Sequence, residues 1–212
     1  MKRNIFIGFD IDETFIHSKE IGLDKTPYCD SDFNIKDSNG EYNFSTYIRP
    51  NAQSLLNYVR DNFNIFFYTR SSKDYTEAVL KQFGMENEIF FHSKYIDVET
   101  IDTPEDGFKR FKVKRLDKIA NKLGCKINDM LFIDDIKNRY EVRPSHIVIQ
   151  VPEYKGFDND NALSILLSKF KEYENLKDND FKDNMKLLKK EDFIISEKPL
   201  CDILTAINYR AS

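Results

Sequence analysis

Two aspartates one residue apart, Asp10 and Asp12, follow the apolar run Ile5-Phe6-Ile7-Gly8-Phe9, and Thr14 comes next but one. Charge is costly to bring near a core, so two carboxylates at the tip of a buried strand suggest a bound cation. Further along, Thr69 closes a second apolar run, Lys114 precedes a helical pattern, and Asp134-Asp135 close a run that begins at Met130. These residue types are the parts that phosphoryl transfer requires. A carboxylate can attack phosphorus and form an aspartyl-phosphate. A hard divalent cation held by oxygen ligands, Mg2+ above all, offsets the repulsion between carboxylate and phosphate. A hydroxyl and an ammonium can hold the equatorial oxygens as charge redistributes. A second carboxylate can give a proton to the leaving oxygen and later take one from water.

The elements that must position these residues can be read from hydrophobic periodicity. Residues 4–10, 64–69, 89–91, 130–133 and 147–151 read as short buried strands. Helical faces alternate with them. Leu55, Leu56, Val59 and Phe63 follow Pro50, and Tyr75, Val79 and Phe83 lie between a capping box at Ser71 and Asp74 and a closing Gly84. Leu116, Ile119, Ala120 and Leu123 run up to Gly124, and residues 161–173 form a further amphipathic helix. Strands alternating with helices predict an α/β fold with a Rossmann-like parallel sheet flanked by helices. Ligands in such sheets bind beyond the carboxyl ends of the strands, which is where Asp10, Asp12, Thr69, Asp134 and Asp135 fall. Lys114, read as the start of a helix, is within reach of the same rim.

Two insertions interrupt the alternation. Residues 32–48 alternate in polarity around Asn39-Gly40 and predict a β-hairpin. Residues 93–112, around the turn-forming stretch Asp102 to Gly107, read as an exposed loop or hairpin. No segment between the motifs is long enough for a large cap, so the site should be open to a macromolecular phosphate.

The order and context of these motifs resemble the haloacid-dehalogenase superfamily. Asp10, Asp12 and Thr14 match its first motif, Thr69 its second, Lys114 its third, and Asp134 with Asp135 its acidic fourth. Within the superfamily the chain is most similar to the small phosphatases that act on the C-terminal domain of RNA polymerase II. That likeness rests on Asp-Glu-Thr-Phe-Ile-His-Ser at 12–18, Arg49-Pro50, Tyr68-Thr69-Arg70-Ser71 with Tyr75, and Val113-Lys114-Arg115-Leu116. The fourth-strand region through Tyr140 and Pro144, and Gly156-Phe157-Asp158, extend it. The resemblance implies Asp10 as nucleophile and Mg2+ ligand, and Asp12 as general acid and base that offers its backbone carbonyl to Mg2+. It implies Thr69 and Lys114 as phosphate ligands, and Asp134 and Asp135 as metal ligands. The family commonly carries Asp-Asn-Ser-Pro where this chain has Asp134-Asp135-Ile136-Lys137, and often an arginine near His92.

Composition narrows the partners. The chain has 212 residues, 41% of them hydrophobic and 32% charged, with a formal net charge of -4. That balance gives no bulk basic surface for nucleic acid. The stretch Phe108 to Arg115 interleaves aromatics with cations and suits either an anionic polymer or a solvated hairpin edge. Cys29, Cys125 and Cys201 lack paired spacing and read as reduced thiols. No apolar stretch approaches the ~20 residues of a membrane span, and no secretion signal is visible, so an intracellular, cytoplasmic or nuclear location is expected.

The expected organisation is a phosphatase domain over 1–188 and a C-terminal extension, 189–212, packed on the core. The expected substrate is phosphoserine or phosphothreonine in a protein. The alternatives are a nucleotide, polynucleotide 3′-end or small-metabolite phosphatase, and an inactive module that binds a phosphorylated ligand. The sequence leaves the oligomeric state open.

Overall fold

The computed structural model describes residues 2–21, 30–37, 40–103, 107–136, 138–156 and 159–193. In chain order these form β1 (Phe6–Phe9), β2 (Ile16–Ile21), β3 (Ser31–Asp37), β4 (Gly40–Ile48) and α1 (Ala52–Asn62). Then come β5 (Asn64–Tyr68), α2 (Lys73–Gln82), β6 (Ile89–Phe91), β7 (Ile96–Thr103), β8 (Gly107–Arg115) and α3 (Leu116–Leu123). The last are β9 (Met130–Asp134), β10 (Val142–Arg143), β11 (Val148–Gln150), α4 (Ala162–Glu172) and α5 (Asp178–Lys186).

Five strands make a parallel sheet in the order β11-β9-β1-β5-β6. Parallel pairing needs crossovers, and those crossovers cover both faces, so the strands are apolar nearly throughout. Alternate residues go to opposite faces. Ile7, Phe9, Ile65, Phe67, Leu131 and Ile133 point into a core shared with α1, α2, α4 and α5. Phe66, Tyr68, Met130 and Phe132 point into a second core beneath α3. The five strands match those expected from sequence, within a residue or two at their ends.

Gly8, in the centre of β1, explains how that second core is filled. A Cβ at this position would come within 2.6 Å of three atoms at the tip of the Phe66 ring. The missing side chain on β1 is the space that the Phe66 ring occupies. Gly8→Ala is therefore expected to destabilise the fold by at least ~1–3 kcal/mol through overpacking, measured as a lower midpoint in urea unfolding.

The two insertions form small antiparallel sheets. The predicted hairpin exists as β3 and β4, but β2 joins it to give the order β2-β4-β3. Periodicity did not reveal β2, because Ile-His-Ser-Lys-Glu-Ile lacks clean alternation. β7 and β8 pair antiparallel as a long ribbon, extended by the short parallel β10. Lys114 belongs to β8, not to a helix start, and Arg115 is the N-cap of α3. The reason is pairing: β8 is in register with β7 over Gly107 to Lys114, and that ladder holds the chain extended up to the helix.

Three further details differ from or extend the sequence reading. Ser72, not Ser71, caps α2: its backbone is extended and its Oγ accepts from the Tyr75 N–H at 3.4 Å. α5 was not anticipated in its polar segment, yet it buries Phe181 and Met185, with Arg3 lying over the Phe181 ring at 4.8 Å. Gly84 and Gly124 end α2 and α3 with positive φ, as their positions in the sequence imply. Cys125 is a free thiol. Cys29, Cys201, Asn39, Lys137, the turn Pro104-Glu105-Asp106, Phe157-Asp158 and the end of the extension, 194–212, lie outside the described residues. No helix among the described residues is long and apolar enough to cross a membrane.

Candidate active site

Because β1, β5 and β9 are parallel and in register, their carboxyl ends form one rim. Phe9 lies opposite Phe67 on one side and Ile133 on the other, so Asp10, Tyr68 and Asp134 come level. The Asp10 N–H donates to the Ile133 carbonyl at 2.9 Å. Asp10, Thr69, Lys114 and Asp134 are all buried, and Asp12 and Asp135 are half-buried. All six line a single cavity of about 270 Å3.

Lys114 is the electrostatic centre. Its Nζ sits 2.7 Å from Asp10 Oδ1 and 2.7 Å from Asp134 Oδ2, and it lies over the Phe132 ring at 5.3 Å. Burial opposes its charge, but Asp10 and Asp134 together outweigh that and hold the ammonium above the usual lysine range. Burial also dominates at Asp134, whose carboxyl is raised in spite of Lys114. At Asp135 burial, then Asp10, then Asp134 push the carboxyl up to about 7.

The donor set fits a hard divalent cation. Carboxylate oxygens of Asp10, Asp134 and Asp135 lie within 4.8 Å of one another. One ammonium faces these three carboxylates, so the fully ionised donor set that a cation would meet carries two more negative charges than Lys114 offsets. The Thr14 hydroxyl, 3.3 Å from Asp135 Oδ1, supplies only a neutral contact. Oxygen ligands and a surplus of two negative charges suit Mg2+ better than a soft metal. None of His17, His92 and His146 belongs to this cluster.

Asp12 is held apart from it. The Ser71 Oγ donates to its Oδ2 at 2.6 Å, and the Tyr75 hydroxyl donates to its Oδ1. Burial and then Asp10 raise its carboxyl, while Ser71 and Tyr75 pull it back. Burial and the neighbouring Asp12 keep the Tyr75 phenol above its usual range, so it remains a donor. Asp10 and Asp12 therefore face different partners: one an ammonium, the other two hydroxyls. That division suits one carboxylate as nucleophile and the other as proton carrier.

The turn that carries both aspartates is built with care. Glu13 has φ 57, a left-handed conformation that costs a non-glycine residue ~1–2 kcal/mol. Surrounding bonds hold it there: its N–H donates to the Ile16 carbonyl at 2.8 Å and its carbonyl accepts from Tyr154 at 2.7 Å. Its carboxylate meets His17 Nδ1 at 2.9 Å. Arg49, wholly buried, donates from Nη1 to the Thr14 carbonyl at 3.0 Å and forks onto Asp160 at 2.9 and 2.8 Å.

Sequence reasoning named the six rim residues but gave Ser71 only a helix-capping role and missed Glu13, Arg70, Glu141 and the Arg49–Asp160 pair. Arg70 and Glu141 form an ion pair at 2.5 Å on the cavity wall. Arg70 and Ser71 stood inside a quoted motif, so their adjacency to Thr69 was the available signal. Asp160 is 111 residues from Arg49, and no local pattern could have joined them. A second groove of about 450 Å3, lined by Tyr42, Phe44 and Tyr75 among others, shares Asp12 and Glu13 with the main cavity.

Comparison with known proteins gives three findings. No curated protein matches the chain in sequence. Among solved structures, the fold matches a fission yeast RNA polymerase II CTD phosphatase, an Fcp1 variant bound to beryllium fluoride, at TM-score 0.53 and 15% identity. That alignment covers 96% of this chain and 61% of the other. A second Fcp1 structure, of an essential RNA polymerase II CTD phosphatase, matches at TM-score 0.52 and 17% identity, over 95% of this chain and 53% of that one. The chain thus spans roughly half to three-fifths of the proteins whose fold it shares. Residues 6–182 match the family model of the NLI interacting factor-like phosphatases, which spans the rim from Asp10 to Asp135, and the chain belongs to that family, a branch of the haloacid-dehalogenase superfamily.

Proposed function

We propose that this protein is a Mg2+-dependent phosphomonoester hydrolase that acts on phosphoserine or phosphothreonine in protein segments. The observation that carries the reading is the pairing of Asp10 with Lys114 at 2.7 Å inside a three-carboxylate cluster, with Asp12 held separately by Ser71 and Tyr75. Asp10 is the nucleophile: its carboxylate attacks phosphorus and the ester oxygen leaves. Asp12 delivers a proton to that oxygen, then takes one from the water that cleaves the aspartyl-phosphate. Lys114 and the Thr69 hydroxyl receive the phosphoryl oxygens. Asp10, Asp134 and Asp135, with the Asp12 backbone carbonyl, would hold Mg2+, which when bound neutralises charge shared by the carboxylates and the phosphate. Family membership supports phosphatase chemistry, and the shared fold of the two polymerase-domain phosphatases supports a protein substrate. The catalytic domain is assigned to 1–188, and an intracellular location accompanies this substrate class.

The test is hydrolysis of p-nitrophenyl phosphate with Mg2+ and after EDTA, followed by a substrate panel. Chelation is expected to lower kcat/KM by ~100-fold or more, and Mg2+ to restore it. Phosphopeptides should be preferred over nucleotides and phosphorylated oligonucleotides. A preference of about tenfold for an oligonucleotide, ~1.4 kcal/mol, would move the assignment to a polynucleotide phosphatase.

The Asp12 contacts give a further expectation. Tyr75→Phe removes one of the two donors that oppose burial at Asp12, so the Asp12 carboxyl rises further. The kcat–pH profile should move to higher pH, because Asp12 then keeps its proton over a wider range. The turnover at neutral pH should fall ~10-fold, as the deprotonated form needed for water attack becomes scarcer. An unchanged profile would remove Asp12 from the proton-transfer role.

A further inference from the structure

The β7–β8 hairpin has two unlike faces. Its register pairs Val98 with Lys112, Thr100 with Arg110 and Asp102 with Phe108. Alternation puts these residues on the face that also carries Lys114. The opposite face is occupied by its own contacts. There Asp97 and Glu99 hold Arg115, Glu99 also meets Arg143, and Phe111 packs against Tyr140 at 5.8 Å.

The first face begins inside the active site and ends in solvent. Lys114 is buried on Asp10 and Asp134, whereas Lys112, Arg110 and Phe108 are exposed, Phe108 by 79%, and Val98, across from Lys112, is exposed by 55%. Among the described residues the side chains of Arg110 and Lys112 have no ion pair or hydrogen bond. The ribbon is continuous with the cavity wall: Arg70, which lines the cavity, donates from Nη2 to the Lys112 carbonyl at 3.1 Å. Same-face residues on a strand repeat every ~7 Å, so Lys112 and Arg110 stand roughly 7 and 14 Å from Lys114 along β8.

The geometry points to this face as the docking ribbon for the substrate segment that flanks the scissile phosphate. It selects an acidic or doubly phosphorylated polypeptide. An extended polypeptide advances ~3.3 Å per residue, so the second negative group lies roughly two to four residues from the one being hydrolysed. Val98, across from Lys112, offers apolar contact beside it, and Phe108 offers it beyond Arg110. This rests on the reading of the site as a protein phosphatase. A nucleic acid is the weaker fit, because its affinity grows with the number of phosphates neutralised. Two uncommitted cations, closed off at the tip by Asp102, neutralise few.

The experiment compares two phosphoserine peptides of one sequence. One is flanked by neutral residues, and the other has a second phosphoserine three residues away. Both are run with wild-type protein, with Arg110→Glu, and with the Arg110→Glu/Lys112→Glu double variant. The ratio of kcat/KM, doubly over singly phosphorylated, should be about three- to tenfold for wild type and arise in KM. It should shrink in the single variant, reach one or below in the double variant, and decline with added salt. A wild-type ratio of one with both peptides turned over would overturn the docking ribbon and leave the protein-phosphatase reading standing. Hydrolysis of p-nitrophenyl phosphate with neither peptide cleaved would instead overturn that reading and the ribbon with it. Preference for a phosphorylated oligonucleotide, lost in the double variant, would give the face to nucleic acid and overturn the proposal.

Discussion

Asp10→Asn is expected to reduce turnover of p-nitrophenyl phosphate by at least about a thousandfold while leaving the protein folded. The change is nearly isosteric and deletes one charge. An amide is a poor nucleophile towards phosphorus, so the covalent step is lost. The folded state should tolerate it, because Asp10 is one of three carboxylates crowded around one ammonium. Removing one negative charge relieves repulsion with Asp134 and Asp135, both already raised in part by Asp10. In the absence of metal the midpoint of thermal unfolding should therefore stay level or rise, while Mg2+ should stabilise the variant less than the wild type. Kinetics and unfolding together separate a chemical loss from a folding loss. Substantial residual activity in a clean preparation would mean that another group attacks phosphorus.

Arg49→Met is expected to cost ~3–5 kcal/mol of folding stability, a large part of the 5–15 kcal/mol typical of a domain. Arg49 and Asp160 are both buried, and their ion pair has side-chain exposures of 0% and 1%. Asp160 also accepts from the Ala162 N–H at 3.0 Å, at the start of α4. Deleting the guanidinium leaves a buried carboxylate with that one backbone donor, and it frees the Thr14 carbonyl that Arg49 binds. Activity should fall with stability, since Thr14 belongs to the turn that carries Asp12 and touches Asp135. Replacing both partners, Arg49→Met with Asp160→Leu, should recover much of the loss, because no charge is then stranded. Activity would recover less, because the Thr14 carbonyl would still lack its donor. If the single variant unfolds at the wild-type urea concentration, the pair contributes nothing to holding the site.

These two predictions lie at opposite ends of what could be read without a structure. Asp10 is legible because its context is local. An apolar strand, two carboxylates with one residue between and a threonine lie within ten residues, and a parallel sheet gathers strand ends on one rim. The same logic located Thr69, Asp134 and Asp135, and the alternation of strands and helices announced the sheet itself. Hydrophobic periodicity and turn chemistry act over a few residues, and a sequence displays them directly.

The rest depended on contacts between distant segments. Lys114 looked like the first residue of a helix until its pairing with Ile96 held it in β8. That pairing aims its ammonium at Asp10 and leaves Lys112 and Arg110 on the same face, outside. β2 and α5 escaped notice because their sequences are polar, and each is held by a partner far away, β4 for one and the core around Phe63 and Phe170 for the other. Arg49 and Asp160 meet across 111 residues, and Ser71 resembles a cap because the carboxylate that its hydroxyl reaches, Asp12, is 59 residues earlier. The sequence by itself determined the sheet and which carboxylates reach its rim, since both follow from local pattern. Only the tertiary structure decided which cation, which hydroxyls and which buried pair surround them, because burial and ion pairing are set by segments that lie far apart in the chain.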